Sequence, residues 1–249
     1  MPENLVGPGW RARLGVIVPS PNPIIECDLI NYLPDGVSVH FSRARTPGDV
    51  LSLELLEEMS EQVIIEAEKL ILSKVSVIGY GCTSGSFYKE NYDKVLCNEI
   101  SAKLNGVPVT TATTAVLNAL KVLGVINISF CSPYEEIIHK KGVNYFIKEG
   151  YTVSGDAWLG LKGGEEIAYV NEKDIYELAL RADCRDSQAI FLSCTGFPAM
   201  KAINLIETDL NKPVISSNQC LLWHMLKLSG VKKAKGPGKL FALDTNVDA

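Results

Sequence analysis

A chain of 249 residues, 47% hydrophobic and with a mean hydropathy of +0.12, is long enough to bury one large α/β core or two smaller ones. Its formal net charge of −5 and pI near 5.3 argue against a nucleic-acid footprint, and no run reaches the roughly 18 apolar residues of a membrane helix. The start, Met1-Pro2-Glu3-Asn4-Leu5, has no charged segment followed by an apolar one, so the expectation is a cytoplasmic protein with neither nucleic-acid nor membrane partners.

In chain order, residues 1–12 contain Pro2, Gly7 and Pro8 and read as an irregular arm. Leu14–Val18 reads as a strand stopped by Pro19-Ser20-Pro21-Asn22-Pro23, and a short helix follows from about Ile24 to Tyr32. Val37–Phe41 alternates as a strand, and Leu51–Leu72, rich in Glu, Leu and Ile, has the period of an amphipathic helix. Val75–Tyr80 is an apolar, β-branched run that stops at Gly81-Cys82-Thr83-Ser84-Gly85, with a helix expected from about Tyr88 to Leu104. A strand at Val107–Thr111 and a helix at Thr114–Leu123 close the first half.

The second half repeats the scheme. Val125–Phe130 is a strand stopped by Cys131-Ser132-Pro133-Tyr134, then come a helix at Glu135–Glu149, a strand near Tyr151–Gly155 and a helix at Asn171–Ala182. Ala189–Ser193 is a strand delivering Cys194-Thr195-Gly196, followed by a helix at Ala199–Leu210, a strand at Pro213–Ser217 and a helix at Asn218–Leu228. The tail beyond Gly230 reads as peripheral, and its Lys232, Lys233, Lys235 and Lys239 as a solvated basic cluster.

The two halves correspond. Ser20 and Ser132 are 112 residues apart, as are Cys82 and Cys194, while Pro108 and Pro213 are 105 apart. Features recurring in one order at nearly one offset indicate an internal duplication. The expected fold is therefore α/β: two pseudo-symmetric lobes, each a parallel sheet flanked by helices, with an active site between them where the strand C-termini converge. The expected divisions are 1–12 as arm, 13–123 as the first lobe joined by the C-terminal helix, 124–230 as the second lobe and 231–249 as tail.

Chemistry concentrates at the strand stops. The 7 cysteines are odd in number, show no C-x-x-C spacing and accompany only 3 histidines, which argues against a disulfide framework and a zinc site. A cysteine after a buried strand is usually inert packing, the reading kept for Cys27, Cys97, Cys184 and Cys220; Cys131, at a strand stop, stays open. Cys82 and Cys194 are different because they occupy equivalent turns of the two repeats. Unpaired backbone N–H groups at such turns are expected to pull a thiol toward neutrality and to hold a carboxylate. Thr83, Ser84, Thr195 and Gly196 follow the two thiols, and Ser20 and Ser132 mark the other stops; all six are candidate substrate-binding residues. Asn22 serves either a turn or the substrate, and Tyr134 either the core or the ligand. His40, His139 and His224 fall away from the stops and read as core or surface residues, Gly79-x-Gly81-x-x-x-Gly85 lacks dinucleotide-loop spacing, and no G-x-S-x-G nucleophile motif is present.

Val18-Pro19-Ser20-Pro21-Asn22, Gly81–Phe87, Ser193-Cys194-Thr195 and Pro213–Gln219 resemble the aspartate/glutamate racemase superfamily, within it the branch of maleate cis-trans isomerases and arylmalonate decarboxylases. The resemblance implies a cofactor-independent, homo-oligomeric enzyme, a dimer or tetramer, acting on a small dicarboxylate or carboxylate. Decarboxylases of the branch keep only the second-half cysteine, so Cys82 places the chain nearer the isomerases. There, by resemblance, Cys82 adds to the alkene carbon as nucleophile, Cys194 is the partner acid/base, and Asn22, Tyr134 and the donors after each cysteine hold the carboxylates. The chain departs from that pattern in the prolines flanking Asn22 and in lacking an asparagine at Leu161–Glu165, where Lys162 is the candidate replacement. A two-cysteine racemase or epimerase of the amino-acid or hydantoin type, and behind it an arylmalonate-type decarboxylase or a non-catalytic bilobal anion-binding protein, remain as alternatives.

Overall fold

The computed structural model describes residues 7–243 apart from Lys233; residues 1–6 of the expected arm, Lys233 of the basic cluster and residues 244–249 of the expected tail lie outside the described residues. The first half runs β1 (Ala12–Pro19), α1 (Ile25–Asn31), β2 (Val37–Ala44), α2 (Leu53–Ile71), β3 (Val77–Tyr80), α3 (Thr83–Phe87), α4 (Tyr92–Lys103), β4 (Val109–Thr111) and α5 (Ala112–Val122). The second runs β5 (Asn127–Tyr134), α6 (Glu136–Lys148), β6 (Thr152–Leu161), α7 (Gly164–Ala168), α8 (Glu172–Ala182), β7 (Ala189–Leu192), α9 (Ile203–Leu210), β8 (Val214–Ser216), α10 (Ser217–Leu228) and α11 (Gly238–Ala242). Every residue of β3 and β7 is buried, the pattern of parallel strands covered on both faces.

The strands form two four-stranded parallel sheets of identical order, β2-β1-β3-β4 and β6-β5-β7-β8. The duplication read from the residue offset is thus one of topology as well. In each sheet the order reverses between the first and third strands, and that reversal opens a crevice at their C-terminal ends. The four strands end at Pro19, Tyr80, Tyr134 and Leu192, and Cys82 and Cys194 each follow their strand by two residues.

The halves are joined by α10. Its first turn is closed by a reciprocal cap between Ser216 and Gln219, and it is buried from Ser217 to Leu226 because it packs on α5 and β8 and also against β1, β3 and β4 of the first sheet.

Four local expectations are corrected. The helix after Cys82 begins at once, at Thr83, because the Cys82 side chain caps it; Asn91, at φ 55°, then separates α3 from α4. β5 does not stop at Cys131 but runs through Pro133 to Tyr134, absorbing the missing proline N–H in a register shift between Ser132 and Tyr134. β6 extends to Leu161 rather than ending at Gly155. The tail is not wholly peripheral: α11 buries Leu240 and Phe241, and the Gln219 side chain donates to the Pro237 carbonyl at 2.7 Å, while Lys232, Lys235 and Lys239 stay exposed.

At Gly155 the β5–β6 pairing skips a residue, and a β-carbon there would overlap the Ala182 carbonyl oxygen and lie 3.0 Å from the Ser129 hydroxyl. That carbonyl is held by the same hydroxyl at 2.8 Å and cannot step aside. Gly155→Ala should destabilise the fold by about 2–3 kcal/mol, seen by calorimetry as a fall in Tm of roughly 5–10 °C; an unchanged Tm would contradict this packing.

Candidate active site

Cys82 follows β3 by two residues in an extended conformation, and its Sγ accepts the Gly85 N–H at 3.3 Å with the Ser84 hydroxyl 3.8 Å away. In the second half Cys194 follows β7 at φ 118°, outside the conformations L-residues ordinarily adopt, and its Sγ accepts the Gly196 N–H at 3.3 Å. The two turns are tied together by Ser217, the first residue of α10. Its hydroxyl accepts from the Thr83 hydroxyl at 2.8 Å and from the Cys194 N–H at 3.1 Å.

A second tie runs through Thr195. Its hydroxyl donates to the Gly81 carbonyl at 2.8 Å and accepts from the Asn22 side-chain amide at 3.1 Å. The Asn22 side-chain oxygen accepts the N–H groups of Ile24 and Ile25, so Asn22 both caps the entry to α1 and faces the second half. Behind it the Asn218 amide bridges the Asp28 carboxylate at 2.8 Å and the Thr195 carbonyl at 3.0 Å.

These loops enclose a cavity of about 70 Å³. Asn22, Cys82, Thr83, Ser84, Tyr134, Cys194, Thr195 and Gly196 line it. Pro19, Pro21, Leu51, Leu55, Leu56, Met59 and Ile167 add an apolar wall, with Thr46, Asp49 and Gly164 completing the lining. Asp49 is the one charged residue among them; no cation lines the cavity among the described residues.

A family model for arylmalonate decarboxylase matches residues 14–241. The chain belongs to the arylmalonate decarboxylase family. The arylmalonate decarboxylase of Bordetella bronchiseptica is 29% identical over 232 residues, covering 92% of this chain and 95% of that one. A maleate isomerase from Pseudomonas putida S16, solved with maleate, superposes with a TM-score of 0.88 at 23% identity, covering 93% of this chain and 97% of that one. A maleate cis-trans isomerase mutant from Nocardia farcinica, solved with a covalently bound succinylcysteine intermediate, superposes with a TM-score of 0.86 at 20% identity, covering 94% and 99%. The fold is that of these family enzymes.

Of the residues expected at the site, eight line the cavity and two do not. Ser20 donates to the Ala44 carbonyl at 2.8 Å, turned toward β2. Ser132 is fully buried and bonded to His139 Nδ1 at 2.8 Å, whose Nε2 meets Asp156 at 2.8 Å, so it belongs to a buried polar chain outside the lining. Lys162 is no stand-in for the missing asparagine either: it is exposed, and only Gly164 of its loop reaches the cavity. The apolar wall went unrecognised in the sequence because Leu55, Leu56 and Met59 belong to the same stripe of α2 that faces the core. Ser217 and Asn218 lie in a motif that the sequence marks, but nothing local says that they bridge the halves.

The expectation of thiols pulled toward neutrality is overturned. Burial pushes the Cys82 thiol up against the opposing pull of the Gly85 N–H and of Ser84 and Tyr80. Burial likewise pushes Cys194 up to about 12, although Tyr134 and the Gly196 N–H favour the anion. With no cation in the lining, donors alone do not offset desolvation, and both residues rest as thiols at neutral pH. Burial also lifts Asp28 from 3.8 to about 6, against the Asn218 hydrogen bond and Lys201.

Two predictions follow from this geometry. At φ 118° a β-carbon is a liability, so Cys194→Gly should be more stable than Cys194→Ala by about 1–3 kcal/mol, the reverse of the ordinary order; denaturant unfolding of the two variants decides it. Asp28 ionises more easily unfolded than folded, so stability intact below about pH 4 is lost as pH rises through about 6. Asp28→Asn, which keeps an acceptor for Asn218, should therefore gain up to about 3 kcal/mol over the parent at pH 7.5 and little at pH 3.5 in paired urea titrations.

Proposed function

We propose that the protein is a cofactor-independent isomerase that forms an enediolate between Cys82 and Cys194. The observation that carries this reading is that two thiols, from equivalent turns of a duplicated fold, line one cavity, each receiving a backbone N–H. Thiols from two different strand ends can address a bound carboxylate's neighbouring carbon from two directions, and the Ser84 hydroxyl, the Asn22 amide and the unpartnered Tyr134 hydroxyl are donors for the enediolate oxygens.

On an unsaturated dicarboxylate of the maleate type, Cys82 first passes its proton to the substrate carboxylate that does not become the enediolate, and that carboxyl returns it to the departing thiolate. The Cys82 sulfur then bonds to one alkene carbon, and the π pair moves onto the carboxylate at the other carbon as an enediolate. Rotation about the resulting single bond and expulsion of the thiolate leave the trans alkene. Cys194, resting protonated, can lend its proton to the enediolate carbon and take it back.

The wall favours a second reading. Seven apolar residues, one carboxylate and no cation suit a substrate with one anchored carboxylate and an apolar substituent better than one with two carboxylates. On such a substrate the two thiols would exchange the α-proton from opposite faces, as a racemase or epimerase does.

Proton NMR in deuterated water, with maleate, an enantiopure 2-arylpropionate and an arylmalonate offered separately, distinguishes the readings. The first expects maleate to become fumarate and Cys82→Ala to slow this more than about a thousandfold. Deuterium entering the arylpropionate α-position with maleate untouched would favour the second. Loss of carbon dioxide from the arylmalonate, with neither other change, would refute both.

A further inference from the structure

Tyr80 precedes Cys82 by two residues, and the pleat of an extended chain directs side chains two apart to the same face. Tyr80 is fully buried, and its hydroxyl has no aligned hydrogen-bond partner among the described residues. An idle buried phenol is costly enough to call for an explanation.

The hydroxyl and the cavity's first thiol lie over the same glycine. A β-carbon on Gly85 would overlap the Tyr80 oxygen, lie 2.9 Å from the Cys82 Sγ and 3.1 Å from the Met59 methyl. The phenol and the thiol therefore converge on the space above Gly85 that only a missing side chain leaves free. The Gly85 N–H already donates to the same sulfur.

The arrangement has a counterpart that the duplication does not explain. Tyr134, whose hydroxyl is also buried and without an aligned partner, stands beside Cys194. At the 112-residue offset, however, Tyr80 corresponds to Leu192 and Tyr134 to Asn22. Each thiol has one phenol, but from unrelated positions: Tyr80 from the strand of its own cysteine, Tyr134 from the end of the neighbouring strand. A relic of the repeat would have put the two phenols at equivalent positions.

We propose that Tyr80 is a positioning residue for Cys82, its hydroxyl donating an O–H···S hydrogen bond to the sulfur as the thiolate forms. The proposal rests on the reading that Cys82 works as a thiolate. In a cavity without cations the anion at Cys82 must be met by neutral donors, and Tyr80 adds a phenol O–H to the Gly85 N–H and the Ser84 hydroxyl. The idle state of the hydroxyl in the resting protein follows: a neutral thiol is a weak acceptor, and a thiolate is a strong one.

The test is the pH profile of Cys82 alkylation by iodoacetamide, followed by mass spectrometry of the Cys82 and Cys194 peptides in the parent and in Tyr80→Phe. Removing a hydroxyl that has no other partner leaves the ring packing in place, so the variant should keep the parent's Tm. The expected result is a Cys82 profile displaced upward by about one pH unit, a tenfold slower alkylation at pH 8, with the Cys194 profile unmoved. Cys82 rates within twofold of the parent at every pH would overturn the proposal, as would equal losses at both cysteines, which mark a general loosening. Alkylation reads the thiolate without any turnover, so failure here is distinguishable from failure of the substrate readings above.

Discussion

The Thr195 hydroxyl, donating to Gly81 and accepting from Asn22, is the contact on which the site depends. Gly81 immediately precedes Cys82, and Thr195 immediately follows Cys194, so one side chain sets the spacing of the two thiol-bearing turns. The Ser217 hydroxyl makes a second tie between the same turns, accepting from the Thr83 hydroxyl and the Cys194 N–H. Both hydroxyls are buried and each is hydrogen-bonded from the second half to the first, the condition under which a polar network specifies one arrangement rather than several. The unusual backbone of Cys194 is held within this frame, with its N–H engaged by Ser217 and its sulfur by Gly196.

The electrostatics of the cavity follow from what the frame excludes. Its lining supplies N–H and O–H donors beside much hydrocarbon, and the single charged residue among the lining is an acid. Desolvation therefore dominates at both cysteines and keeps them protonated at rest. A site of this kind stabilises negative charge only where donors are already aimed, which favours a charge-spread enediolate over a localised anion. The same wall makes the cavity selective by shape and polarity.

The duplication and its breaking divide the labour between the halves. Sheet order and the positions of the two cysteines are shared, whereas Asn22 and Tyr134 occupy one equivalent pair of positions with different chemistry. Asn22 spends one amide N–H on holding the turns, and Tyr134 keeps its hydroxyl free. The wall is equally one-sided, since α2 of the first half supplies Leu55, Leu56 and Met59.

Local patterns determined the alternation of strands and helices, the duplication, the parallel sheets and the two cysteine turns, because buried parallel strands write themselves as apolar runs and turns as glycine and proline. They also carried the family resemblance through Cys82, Cys194 and the segments around them. Tertiary structure alone decided that Ser20 and Ser132 turn away, that Lys162 stays in solvent and that Asn22 serves as cap and bridge at once. It alone decided that the thiols stay protonated, since whether a turn's N–H groups outweigh desolvation depends on what the other half brings to the cavity. The stretch Gly81-Cys82-Thr83 could announce a thiol; only the packing of two halves could surround it with a threonine from one, a serine from the last long helix and, among the described residues, no cation from either.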